Sequence, residues 1–444
     1  MNENDVSQSR GELSFIDLWS MFYLLMVYAF TLIFNQASII VFAFYFIFAI
    51  PFVYHLDKFA CLCFLLSTMS YYFMGADEGL WSLYTILAIM LVVQAFLKGV
   101  MSLPVKSCVY LSWIAVAVIL SYLQSQFGYS TGMFAMIYNI VIALLMATTL
   151  EIDRETVASF LPLMAAFQLL AYVGMLLISG HYDGYGFSVS ASVNHNTFGT
   201  SVVILSIILF VKIVFFQDGS VLYKFFWALS LVLTIVSGSR NALLALLLTT
   251  VVIYMVSQIH QGKTISGGLK FLAAICVLVA IGGLLLPEVG IDLSRYDYVE
   301  LIGSGGSNRA IIWESLAPVI WEDYKWFGYG PSHFCSEEMI HSLMDLNYTH
   351  THNTIFEAWG ELGFFGLLPF LLILIYAFRQ GWSDIKREHS GLMFGFVLIS
   401  LLLLGLGESL FANISLWIII GLLMGVKETG DEFVLDQEIE NVQE

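Results

Sequence analysis

An all-α, polytopic transmembrane protein of about 12–14 spans is the fold class that the sequence predicts, and three observations predict it. Of 444 residues, 59% are hydrophobic and only 11% charged, with a mean hydropathy of +0.85. Soluble domains are roughly a quarter charged. The apolar residues form continuous runs of up to ~20 rather than alternating with polar ones, and only helices in such runs bond every backbone group internally in lipid. Finally, the cations are distributed unevenly along the chain.

The apolar runs place spans near 18–34, 37–54, 59–74, 79–97, 107–123, 132–149, 156–178, 197–215, 222–237, 241–257, 269–286, 355–378, 391–406 and 409–426. The last two are separated only by Gly405 to Glu408. This divides the chain into a cytoplasmic segment 1–17, transmembrane helices over 18–286, an extracytoplasmic loop 287–353, C-terminal transmembrane helices over 354–426 and an acidic cytoplasmic tail 427–444. The tail holds seven acids and no base beyond Lys427, so much of the net charge of -17 belongs to a solvated end rather than to the membrane body. The first 17 residues lack the basic flank and small-residue cleavage site of a signal peptide, so the first span is expected to remain.

Cytoplasmic loops retain Lys and Arg. With the N-terminus inside, thirteen of the 17 cations fall on the cytoplasmic side, and only Arg240, Arg295, Arg309 and Lys325 fall outside. An even number of spans then leaves both ends in the cytoplasm. Two substantial segments lie outside, 179–196 and the stretch from Pro287 to about Asn353. The second is too long for a simple connection, and its Trp313, Trp321, Trp326 and Phe327, with a helical pattern from Arg309 to Trp321, argue for order.

Several external residues have chemistry. Arg240 ends VSGSR and opens the apolar run NALLALLLTTVV, where a guanidinium beside free helix amides suits a phosphate and equally suits a snorkelling helix anchor. Arg309 follows the glycine-rich GSGGSN and opens AIIWESLAPVIW, a plausible anion site that also reads as a surface turn. No GxxxxGK pattern occurs, so a nucleotide-binding loop is not indicated. His350 and His352 lie in YTHTHNTIFEAWGELGFFG, with Glu357 and Glu361 following. An imidazole there suits a general base, while an exposed pair of loop histidines is the plain alternative. The five cysteines form neither a disulfide framework nor a thiolate metal site.

Taken in order, NHNTFG before a span, SGSRNALLAL, SNRAIIWES, WFGYGPSHF and HTHNTIFEAWGELGFFGLL resemble the O-antigen ligase and O-antigen polymerase superfamily of membrane glycosyltransferases, over residues 190 to 380. The resemblance implies a C-type, multi-span enzyme of the cell membrane. It transfers an oligosaccharide or polysaccharide from an undecaprenyl pyrophosphate carrier to a sugar hydroxyl on the extracytoplasmic side. Arg240 and Arg309 are then pyrophosphate contacts and His352 the residue that activates the acceptor. His350, Asn353 and Glu361 accompany them as substrate-binding candidates. The implied partners are the polyprenyl-pyrophosphate-linked donor, a glycan or lipid-core acceptor and membrane lipid, with a flippase and a chain-length regulator in the same pathway. No cofactor, metal or nucleic acid is called for. One departure is His195, which stands between two asparagines where relatives often have proline. Ligases, polymerases and protein O-oligosaccharyltransferases share these motifs. A transporter or flippase of lipid-linked glycans is the alternative from another class, but the spans carry almost no mid-helix charge.

The topology has a direct check. Reporters fused after Lys263 and after Glu444 are expected to read cytoplasmic, and one within 325–345 external; a cytoplasmic signal from the last would overturn the orientation.

Overall fold

The structure of the protein, a computed structural model, describes residues 13–34, 39–68, 83–99, 105–125, 132–150, 152, 156–191, 193–262, 309–331, 351–387 and 391–425. Among these are α1 (Phe15–Phe34), α2 (Ile39–Ala49), α3 (Leu56–Ser67), α4 (Leu83–Lys98), α5 (Val105–Gln124), α6 (Gly132–Thr149) and α7 (Leu161–Ser179). A short hairpin follows, β1 (His181–Tyr182) with β2 (Phe187–Ser188). Then come α8 (His195–Val214), α9 (Val221–Val236), α10 (Arg240–His260), α11 (Arg309–Val319), α12 (Thr354–Arg387), α13 (Leu392–Leu404) and α14 (Ile414–Gly425). The protein is an all-α polytopic membrane protein, and among the described residues 5 helices are long and apolar enough to cross a bilayer unaided. Thirteen helices lie on predicted apolar runs, and α11 occupies the helical pattern read from Arg309. The expected span 269–286, most of the loop 287–353 and the acidic tail lie outside the described residues.

Hydrophobicity all round a helix predicts burial all round. In α8 every residue from Phe198 to Val211 is buried, and the helix packs against α7, α9, α10 and α13. Polar side chains in this apolar interior find one another: Thr68 and Ser201 hydroxyls lie 2.6 Å apart, and Gln168 donates to the Tyr172 hydroxyl at 2.7 Å. In lipid the alternative to these bonds is an unsatisfied group, so the network pins α3, α7 and α8 in register.

Bundle polarity follows from connectivity. His195 begins α8 and Lys212 ends it, pairing there with Asp218 at 3.3 Å. The α10 start therefore shares the His195 end, and the other end carries Lys212, His260 and the basic close of α12, Lys386 and Arg387. Among the described residues, Arg240 of the predicted outside cations thus lies at the opposite end from Lys212, Lys386 and Arg387 of the predicted inside ones.

One helix is broken by design of its sequence. At Gly363 the backbone of α12 turns to φ 62°, which releases amides and carbonyls that a continuous helix would pair. Residues 325–330 take them up: Phe364 N–H donates to the Lys325 carbonyl at 2.7 Å and Phe365 N–H to Trp326 at 3.0 Å. In return, Tyr329 N–H reaches the Gly360 carbonyl at 2.9 Å and Gly330 N–H reaches Glu361 at 3.3 Å. The sequences WFGYG and GELGFFG are thus interlocked, backbone to backbone. Nothing larger than glycine fits at the join, since a Cβ on Gly363 would stand 2.3 Å from the Trp326 carbonyl carbon.

Gly363→Ala is therefore expected to destabilise the protein by at least ~2 kcal/mol, from the left-handed strain plus the clash. Gly174→Ala, on α7 with nothing within 4 Å of the new methyl, is the matched control. Thermal melting in detergent checks this, and equal melting temperatures for the two variants would refute the interlock.

Candidate active site

Four of the helices that begin at the His195 end of the bundle, α8, α10, α11 and α12, frame the site, and in three of them the start is shaped by a polar residue just before it. Asn194 caps α8, its side chain accepting from Asn196 N–H at 2.7 Å. Ser239 caps α10, accepting from Ala242 N–H at 3.3 Å, so that Arg240 is the first helical residue. Arg309 is likewise the first residue of α11. Asn353 caps α12 by accepting from Ile355 and Phe356 amides at 3.0 and 2.9 Å. Helix starts carry partial positive charge from their free amides, so a set of them facing one place suits an anion.

The turn between α13 and α14 joins three of these starts. Asn241 donates to the Leu404 carbonyl at 2.8 Å, tying α10 to the turn. Arg309 reaches Glu408 at 3.6 Å, tying α11 to it. Thr354 donates to the Glu408 carbonyl at 2.9 Å and accepts Leu410 N–H at 2.9 Å, tying α12 to it. Gly407 sits at the middle, where a Cβ would meet Arg309 Nη1 and Asn241 Oδ1 at 2.8 Å each. The two arginines predicted from sequence are therefore brought together, about 70 positions apart in the chain.

The His352 loop is held to the same cluster. Trp313, one turn into α11, donates from its indole to the Thr351 carbonyl at 2.8 Å, and the Thr351 hydroxyl lies 3.1 Å from that of Ser409. His352 is half-buried with φ 51°, a left-handed conformation in which histidine is enriched. Such strained residues persist where the surroundings over-determine them, and they cluster at functional sites. Under the loop, Ile312, Leu316, Ile320 and Tyr329 form a small core with Phe356 and Trp359 that seats α11 against the first turns of α12.

Of the other predicted site residues, Asn353 is engaged as the cap just described and lies 3.4 Å from the Leu406 carbonyl. Glu361 is buried at 2% exposure in the interlocked seam, its carbonyl taken by Ser121 and Gly330. His350 lies outside the described residues. Sequence reasoning passed over Glu408 and Asn241, and noted Glu357 only as an acid following the histidines; its carboxylate accepts Phe411 N–H at 3.2 Å. The signal for Glu408 was present, an acid in the four-residue gap between two apolar runs.

Electrostatically the cluster holds two guanidiniums against one carboxylate. Burial pushes the Arg309 pKa down, Glu408 pulls it back up, and the charge of Arg240 lowers it further. Burial pushes Glu408 up to about 7 despite the neighbouring Arg309. Arginine stays charged regardless. The site therefore carries net positive charge that grows as Glu408 takes a proton.

A carboxyl whose pKa is higher folded than unfolded binds more protons in the folded state between about 4.5 and about 7. Its contribution favours folding below that window and is lost as pH rises through it, by on the order of 3 kcal/mol. Glu408→Gln removes this dependence, so the variant's melting temperature relative to wild type is expected to climb from pH 5 to pH 8. A difference that stays flat across that range would remove Glu408 from the buried pair.

With the geometry in place, comparison with known proteins is specific. A family model described as O-antigen ligase matches residues 225–371, from α9 through the Gly363 break, which includes both arginines and His352. No curated protein matches the chain. The match supports O-antigen ligase-like glycan transfer in envelope polysaccharide synthesis, with a lipid-linked glycan donor and a glycan acceptor as the general partners. Over this segment the chain is similar to the O-antigen ligase family, which supports the superfamily resemblance read from its motifs.

Proposed function

We propose that this protein transfers a glycan from an undecaprenyl pyrophosphate carrier to a sugar hydroxyl, of a lipid core or a growing chain, on the extracytoplasmic face of the cell membrane. The observation that carries this reading is the convergence of Arg240 and Arg309, each opening a helix, on the turn that also holds the His352 loop. A membrane-anchored pyrophosphate has to be met at the membrane surface, and the starts of spanning helices lie there.

In the proposed reaction the acceptor oxygen attacks the anomeric carbon, and the bond from that carbon to the pyrophosphate oxygen breaks. The leaving pyrophosphate takes the electron pair, and the acceptor's proton passes to the His352 imidazole. One in-line displacement inverts the anomeric centre. Charge develops on phosphate oxygens as the bond breaks, so preplaced guanidiniums stabilise the transition state more than the ground state. A pyrophosphate leaves without a general acid, and in this scheme the arginines supply the charge that a divalent metal supplies elsewhere. A neutral imidazole is the side chain suited to take up a proton and give it back near neutral pH. His350, Asn353 and Glu361 are proposed to contribute to binding and to the shape of the loop. The cation distribution supports both termini in the cytoplasm and the site outside.

With purified protein and a lipid-linked donor, Arg240→Ala and Arg309→Ala are each expected to lower transfer by at least ~10²-fold. Lysine is expected to rescue either poorly, because a point charge cannot donate a planar pair of hydrogen bonds. His352→Ala is expected to lose ~10²- to 10⁴-fold in rate while keeping donor affinity, and His350→Ala to be milder. Normal turnover by His352→Ala with a dead His350→Ala would reassign the base, and loss of wild-type activity to chelators would end the metal-free scheme.

A further inference from the structure

Beside the arginine cluster lies a pair of titratable groups that the scheme above does not use. The 181–188 hairpin pairs His181 with Ser188 and Tyr182 with Phe187, leaving Asp183 to Gly186 as its tip. Asp183 organises that tip: one carboxylate oxygen accepts Tyr185 and Gly186 amides at 3.0 and 3.1 Å, and the other meets His195 Nδ1 at 2.5 Å. His195 is only 5% exposed and begins α8, and the Tyr185 ring lies 5.9 Å from its own. Burial would raise the Asp183 pKa, but the imidazole and the two amides outweigh it and hold the carboxyl below its usual range. The pair therefore joins the hairpin to the helix as a charged clasp.

What the clasp presses against is the SGSR turn. A Cβ on Gly186 would stand 1.9 Å from the Ser237 carbonyl oxygen, and one on Gly238 would stand 2.3 Å from the Tyr185 carbonyl oxygen. The two backbones are in contact at glycine distance, and Gly238 takes φ 67° there. From the other side Gly199 closes on the same turn, where a Cβ would meet Ser237 Oγ at 2.8 Å and Ser239 Cβ at 2.9 Å. The turn that launches Arg240 is thus gripped between the hairpin tip and the first turns of α8.

We propose that Asp183 is a positioning residue for Arg240. Clasped by His195, it sets the hairpin tip against Ser237 and Gly238 and so fixes the direction in which Arg240 leaves the start of α10. This rests on the reading that Arg240 holds the donor's pyrophosphate.

The test measures undecaprenyl pyrophosphate binding, transfer kinetics and amide hydrogen exchange over 237–242 in the purified full chain. Asp183→Ala is expected to weaken undecaprenyl pyrophosphate binding about tenfold and to raise donor KM while leaving acceptor KM unchanged. A merely damaged fold would lower kcat without that split. Asp183→Glu is expected to recover most of the affinity. In the Arg240→Ala background the Asp183→Ala change is expected to cost nothing further, because both act through one contact. An equal loss in that background, or a rise in both KM values together, overturns the proposal. Should Asp183→Ala not fold, Asp183→Asn, which keeps the shape but loses the charge, takes its place with the same expectations at smaller size. If the wild type does not bind undecaprenyl pyrophosphate, the donor assignment falls, and the clasp is decided by exchange alone. Faster exchange at 237–242 in the variant upholds it, and unchanged exchange refutes it.

Discussion

Backbone hydrogen bonding is the constraint from which the arrangement follows. In a bilayer a broken helix is tolerated only where something else pairs the freed amides and carbonyls. Here α12 breaks at Gly363, and the chain at 325–330 pairs with what the break releases. That segment follows α11 directly, so satisfying the break in α12 also fixes where α11 lies. Ser121 and Ser125, at the end of α5, donate to the Glu361 and Tyr329 carbonyls and hold the interlock from a third side. Arg309 is placed by this means, through a contact 15 residues or more away from it in sequence.

The charged centre depends on the same fastening. A carboxylate buried beside a guanidinium is costly to desolvate, and its Coulomb attraction only partly offsets that cost. Glu408 tolerates the position by shifting its proton equilibrium, and its backbone carbonyl is independently satisfied by Thr354. The turn is therefore held by neutral hydrogen bonds, which leaves the side chain free to respond to an incoming anion. On the proposed function, an arriving pyrophosphate would favour protonated Glu408 and so release Arg309 to the ligand, a coupling that follows from charge.

The two halves of the site are tuned in different ways. Arg309 is held by an ion pair and Arg240 by backbone packing around a serine-capped turn. His352 itself takes a left-handed conformation between an indole-bonded Thr351 and a capping Asn353. Mixed modes of fixation of this kind keep the positively charged groups near one another without requiring them to attract one another.

Much of the architecture was legible in the sequence, because hydropathy and cation bias act locally and sum along the chain. Apolar runs located thirteen of the described helices, and the four cations left outside included both arginines of the cluster. The HTHN segment and the GELGFFG segment were visible as strings, but their relation to WFGYG was not, because backbone pairing across a break leaves no residue-type signature beyond glycine. Glu408 read as punctuation between two spans, and Asp183 as one polar residue in a polar loop. Sequence alone therefore determined which segments enter the membrane and which charges stand apart, since solvation is a property of each segment. Only the tertiary structure decided that Arg240, Arg309, Glu408 and the His352 loop meet, since their meeting depends on how a broken helix finds partners for its backbone.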